Sequence, residues 1–266
     1  MGTSSRNQVY YAPVSSTGVG TWQSTTSYPI AKFGAGCSIY NGYIYSVGTL
    51  ATSPYNYVYY APVSSTGIGT WQATTSYPVT MYAAGCSIYN GYIYCVGTSS
   101  TFPSTQVYYA PVSSTGIGTW TSTTSYPVEM YDAGCSIYNG YIYCVGTITK
   151  SWLYRVGTAS TSSRNQVYYA PVSSTGVGTW HATTSYPVEM WGGSCSPIYN
   201  GYIYCVGNQG VSPYNQVYYA PVSSTGIGTW QATTSYPVKM YDAYCEIPGS
   251  GGGYLGGGGP STGPWG

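Results

Sequence analysis

Short runs of mixed β-branched and aromatic residues, broken at regular intervals by turn residues, pattern this chain from end to end. In the stretch MYAAGCSIYNGYIYCVGT two such runs flank Asn90-Gly91, a pair that favours a tight two-residue hairpin turn. A variable segment follows, then QVYYAPV as a third strand, with Pro111 near its end where a missing amide donor is tolerable. Ser-Ser-Thr-Gly-Ile-Gly supplies the next turn, and GTWTSTTS, closed by Tyr-Pro, is the fourth strand. The pattern predicts four antiparallel strands per unit and almost no helix.

The block YYAPVSSTG(I/V)GTW recurs five times, ending at Trp22, Trp71, Trp120, Trp180 and Trp230. A period near 50 residues matches one four-stranded blade, a sheet too small to bury its own faces without neighbours. The unit also resembles a kelch repeat: an apolar strand, a turn at Asn-Gly, an IY-V-G strand, a tyrosine-bearing strand and a tryptophan strand ending in Tyr-Pro. It departs from that pattern in having Val96-Gly97-Thr98 where a glycine pair is usual, and in lacking the Arg that often precedes the first strand. The resemblance implies an all-β, five-bladed kelch-like β-propeller, expected to occupy residues 1–266 as a single domain with a Gly/Pro-rich tail at 258–266.

Five strand pairs of the YYAPV–GTW type face only four complete hairpins, at Asn41-Gly42, Asn90-Gly91, Asn139-Gly140 and Asn200-Gly201. Residues 243–257 begin like a fifth hairpin, with Cys245 at the first cysteine position. They are expected to pair with residues 7–14 and close the ring across the termini. The rival is an open array whose bare edges join the next molecule. Residues 1–8 echo the interior stretch 156–166 less three residues, so the chain starts mid-repeat, either by a permuted start or as part of a longer protein.

Eight cysteines enter next. A two-residue turn sets Cys86 opposite Cys95 and Cys135 opposite Cys144, on non-hydrogen-bonded pairs where side chains come closest. Cys195 and Cys205 are offset by one residue, Pro197, read as a bulge. Two readings stand: cross-strand disulfides, which fit an extracellular or cell-surface location, or small buried apolar side chains. Cys37 faces Ser46, and a bond from Cys37 to Cys245 across adjacent blades is a further option.

Charge is scarce, at 4% of residues with a net of +1, which leaves no basic field for a nucleic acid. No apolar run suggests a membrane span. Alternating strand direction puts the Asn-Gly and SSTGIG turns on one face and the unequal loops on the other. The unequal loops are LATSPYNY, SSTFPST, ITKSWLYRVGTASTSSRN and NQGVSPYN, and ten of the eleven charges map to their face. The longest loop carries Lys150, Trp152, Tyr154 and Arg155, the candidate contact for a protein or glycan. The 36 tyrosines suit sugar stacking or contacts between like molecules, whereas strand positions such as Tyr92, Tyr94, Tyr108 and Tyr109 read as packing between blades with the hydroxyl at the rim.

Catalytic chemistry finds little support. A galactose-oxidase-like copper site needs two histidines, and His181 is the only one; no cofactor is expected. SSTGIGTW resembles a sialidase Asp-box turn, but Thr66 stands where the aspartate belongs. Glu129, Asp132, Glu189 and Asp242 sit on connections between repeats, two pairs at repeat-equivalent positions, which reads as loop duplication rather than an acid/base pair. The expected function is therefore a non-catalytic binding or structural module working through the loop face. The alternatives are a self-assembling subunit of an extracellular filament or layer and, third, a glycan-active enzyme on a propeller scaffold.

Overall fold

The computed structural model describes residues 7–15, 18–30, 36–48, 56–81, 85–97, 105–129, 134–145, 165–188, 194–196, 198–206 and 215–236. Among these residues every regular element is a β-strand. Five units follow one another, and the third shows the plan. Gly85–Tyr89 and Tyr92–Val96 form a hairpin in the register Tyr89 to Tyr92 through Cys86 to Cys95. The second strand then pairs antiparallel with Val107–Ser113. Units 2, 4 and 5 repeat this order with first strands Gly36–Tyr40, Gly134–Tyr138 and Ser194–Cys195. Unit 1 is described only in its third and fourth strands, Val9–Tyr11 paired with Gln23–Thr25, plus the short Val14–Ser15 and Gly18–Val19 ladder.

At the hairpins the turn residues decide the geometry. Asn90 and Gly91 have φ of 47° and 77°, and Asn41, Asn139 and Asn200 behave alike, as a two-residue turn that follows the right-handed strand twist requires. The fourth strand differs from the single run that the sequence predicts. Of that run only Thr121–Ser122 pairs with the third strand, and Gly116–Ile117, expected as turn, forms a further short strand on it. The break has a local cause, because the Gly118 amide donates to the Pro111 carbonyl at 2.9 Å while a Cβ on Gly118 would meet the proline ring at 2.8 Å.

Apolar side chains gather between units rather than within them. One core joins Tyr45, Val47, Val58 and Tyr77 of unit 2 to Ile93, Ala110, Val112, Ile117 and Trp120 of unit 3, and two further cores repeat this between units 3 and 4 and units 4 and 5. Each sheet thus buries its faces only against its neighbours, so a single unit has no independent hydrophobic core. First strands of consecutive units lie side by side. They are tied by serines: Ser38 Oγ donates to the Cys86 carbonyl at 3.0 Å and Ser87 Oγ to the Cys135 carbonyl at 2.8 Å.

The expected pairing of residues 243–257 with 7–14, like the tail at 258–266, lies outside the described residues. Where unit 5 would meet unit 1, Trp22 is 47% exposed and Tyr236 is 44% exposed, whereas Trp120 and Tyr77 at an internal joint are 9% and 1% exposed.

Candidate functional site

The cysteine geometry comes out as cross-strand bonds. Cys86–Cys95, Cys135–Cys144 and Cys195–Cys205 are disulfides within the inner hairpins, and the last spans the extra residue of the bulged first strand, between the Cys195–Cys205 and Tyr199–Tyr202 pairs. In unit 2 the equivalent pair is Cys37 and Ser46, and the Cys37 thiol donates to Ser46 Oγ at 3.5 Å. Cys245 lies outside the described residues.

The two ends of each sheet are organised differently. At one end the Val112 amide donates to the Gly91 carbonyl at 2.8 Å, and Val63, Val172 and Val222 do the same to Gly42, Gly140 and Gly201. The Asn-Gly turns and the SSTG turns therefore share an end, as strand direction predicts. At the opposite end the second strand leads into the unequal segments, and their necks are fastened. Gly48 donates to the Tyr57 carbonyl at 3.1 Å and Gly97 to the Gln106 carbonyl at 3.3 Å, each extending the ladder one step into the loop. Asn56 holds the Tyr77 peptide from both sides: its Nδ2 donates to the Tyr77 carbonyl at 3.0 Å, and its own carbonyl accepts from the Tyr77 amide at 3.0 Å. Asn7, Asn165 and Asn215 make the same clamp on Tyr28, Tyr186 and Tyr236.

Lys150, Trp152, Tyr154 and Arg155 lie outside the described residues, as do Asp132, Glu189 and Asp242. Glu129 is described and exposed; it is the only Asp, Glu, Lys or Arg among the described residues. Those residues hold no group of three side chains suited to a metal ion, and no helix among them is long and apolar enough to cross a membrane. His181 is exposed on a fourth strand, its ring 5.5 Å from that of Tyr169.

The tyrosines fall into two buried sets. Tyr45, Tyr94 and Tyr143 reach across to the next unit, where their hydroxyls donate to the carbonyls of Ser113, Ser173 and Ser223 at 2.8, 2.7 and 2.7 Å. Burial pushes their phenols up to about 12. Tyr28, Tyr77, Tyr126 and Tyr186 form the second set, and burial drives their phenols well above the ordinary range. Each stands edge-on to the tryptophan of the following unit. Both raised sets belong to the packing between units: the Tyr45, Tyr94 and Tyr143 phenols bond backbone of the next unit, Tyr28 bonds Ser46, and each of the second set stands against a tryptophan ring.

Sequence reading missed the latch that explains the repeated blocks. Thr74 Oγ1 accepts from the Ile117 amide at 2.8 Å and donates to the Ile117 carbonyl at 3.2 Å, Thr75 Oγ1 donates to the same carbonyl at 2.7 Å, and Trp120 Nε1 donates to the Thr75 carbonyl at 3.2 Å. The Thr-Thr-Ser-Tyr-Pro corner of one unit thus grips the Gly-Ile-Gly-Thr-Trp segment of the next. The signal was present in the joint invariance of the two motifs, each otherwise explicable as a strand or turn.

No protein-family model and no curated protein matches the chain. Among solved structures, one titled "Structure of YjhT" superposes with a TM-score of 0.65 at 14% identity, over 82% of this chain and 70% of that one. The fold is β-propeller-like. Consecutive antiparallel sheets with cores between them and first strands side by side are the features that carry this likeness.

Proposed function

We propose that the chain is a non-catalytic, kelch-like propeller of five repeats, secreted or displayed at a cell surface, that binds a protein or glycan through its loop face. The single observation behind this reading is the contrast between the two ends of the sheets. One end and the joints between units are nearly identical from repeat to repeat, with backbone and hydroxyl groups engaged. At the other, rigid asparagine-clamped necks present segments of unequal length and sequence. A fixed scaffold carrying variable loops is the usual arrangement of a recognition surface. Three disulfides support an oxidising exterior.

The loop at residues 147–166 is the assigned contact, with Trp152 and Tyr154 as aromatic anchors and Lys150 and Arg155 beside them. Screening the intact chain on glycan and protein arrays, and repeating the screen with Trp152→Ala and Tyr154→Ala, tests this. Binding that is lost in both variants while the melting temperature is unchanged supports the assignment. Binding indifferent to both variants rejects it.

A further inference from the structure

Units 1 and 5 carry complementary parts of the joint that is made between units 2 and 3, 3 and 4, and 4 and 5. From the geometry we infer that these halves engage each other between copies of this chain, unit 5 of one molecule seating on unit 1 of the next. At the joints between units 2 and 3, 3 and 4, and 4 and 5 the leading unit gives a Thr-Thr-Ser-Tyr corner and a second-strand tyrosine. The following unit gives a third-strand serine carbonyl, a Gly-Ile/Val pair and a tryptophan. Unit 1 has the third- and fourth-strand part of the receiving half among its described residues: the Ser15 carbonyl, Val19 and Trp22. Unit 5 has the whole giving half: Tyr204, Thr234 and Tyr236.

Exposure and hydrogen bonding show both halves open. Val19 is 43% exposed where Ile117 and Val177 are 4%, and Tyr204 is 37% exposed where Tyr94 and Tyr143 are 1% and 0%. The bond from tryptophan Nε1 to a threonine carbonyl closes four internal joints. Trp22 and Thr234, at the equivalent positions, make no such bond. Ser196, the counterpart of the serines that tie first strands together, keeps a buried Oγ with no hydrogen-bond partner. Because among the described residues the two edges of one chain make none of these bonds to each other, and each carries the groups that bond at the internal joints, a second copy is the partner that fits both. Such a contact is heterologous, so repetition gives a ring or an open filament according to the rotation per step.

Sedimentation velocity and light scattering over a range of concentrations test this on the intact chain, with Trp22→Ala and Tyr236→Ala as variants. Both side chains are half exposed in a single chain, so neither truncation opens a core cavity; circular dichroism and melting check the fold. The wild type is expected to associate, and each variant alone to bind its own kind at least about 30-fold more weakly, as for a central aromatic anchor. Mixed together the two variants are expected to form a 1:1 heterodimer and stop there, because each retains the edge the other has lost. Val19→Lys is expected to behave as Trp22→Ala does and provides a second receiving-edge variant. A wild type that stays monomeric, whether its ring closes on itself or its edges remain bare, overturns the inference. So do variants that associate like the wild type, or a mixture that yields no heterodimer.

Discussion

Tyr77 of unit 2 stands edge-on to Trp120 of unit 3, with ring centroids 4.9 Å apart and planes at 80°. The pair sits in the core between two sheets, and equivalents at the other internal joints keep the same distance to within 0.1 Å. Yet the phenols differ. Tyr126 and Tyr186 hydroxyls donate to the carbonyls of Cys144 and Cys205 at 3.4 Å, whereas the Tyr77 hydroxyl is buried with no hydrogen-bond partner.

That difference gives the first prediction. An enclosed hydroxyl without a partner carries a desolvation penalty that its removal relieves, so Tyr77→Phe is expected to raise stability by about 1 kcal/mol. Tyr126→Phe, which gives up a long bond, is expected to change stability by less than about 0.5 kcal/mol. Truncating the ring partner is a different matter, and Trp120→Ala is expected to cost about 3–5 kcal/mol through the cavity it leaves between sheets. Denaturant melts of the three variants check the order; a destabilised Tyr77→Phe would mean the hydroxyl is bonded.

Unit 2 offers a second test, because Cys37 and Ser46 occupy the register that Cys86 and Cys95 use for a disulfide. Ser46→Cys is expected to form a fourth cross-strand bond. Closing a loop of this length stabilises by about 2–3 kcal/mol, offset by about 1 kcal/mol for the lost hydrogen bond between Tyr28 and Ser46. Thiol titration under denaturing, non-reducing conditions gives a count that falls by one relative to the wild type if the bond forms. It rises by one if it does not.

Much of this was legible in the residues, for identifiable reasons. Asn-Gly pairs dictate positive φ at two successive positions, so the hairpins and their registers followed directly, and with them the placement of the three disulfides. The break in the fourth strand was not legible, since it depends on the Gly118 backbone closing onto Pro111 from a paired strand. Nor was the threonine latch, because Thr74 and Ile117 are 43 residues apart and nothing local marks either as a partner of the other. Tyr94 was expected with its hydroxyl at the rim; the hydroxyl instead bonds the Ser173 carbonyl of the next unit. Candidate ligand contacts in the 147–166 loop rest on sequence alone.

Stability should respond to alkali through these phenols. Burial raises Tyr45, Tyr94 and Tyr143 from 10.0 to about 12, and drives Tyr77, Tyr126 and Tyr186 higher. A folded-state value above the unfolded one means that the contribution is fully present below pH 10.0 and is lost as pH rises through about 12. Melting temperature is therefore expected to hold on approaching pH 10.0 from neutrality and to fall steeply above it, together with the rise of tyrosinate absorbance. A decline that begins well below that pH would show that these phenols are not buried in the folded chain.

Gly116 and Gly42 both have positive φ, at 114° and 76°, but their surroundings separate two effects. Around Gly42 a Cβ meets nothing within 4 Å, so Gly42→Ala is expected to cost about 1 kcal/mol from backbone conformation alone. A Cβ on Gly116 runs into Thr74 of the preceding unit, the threonine that holds Ile117. Gly116→Ala must therefore strain the backbone and force the latch open, for an expected loss of at least about 3 kcal/mol. Hydrogen exchange locates the damage: the Ile117 amide, which donates to Thr74, should lose protection in Gly116→Ala and keep it in Gly42→Ala. Equal losses of stability in the two variants, with Ile117 protected in both, would show that the threonine grip contributes nothing to holding one repeat against the next.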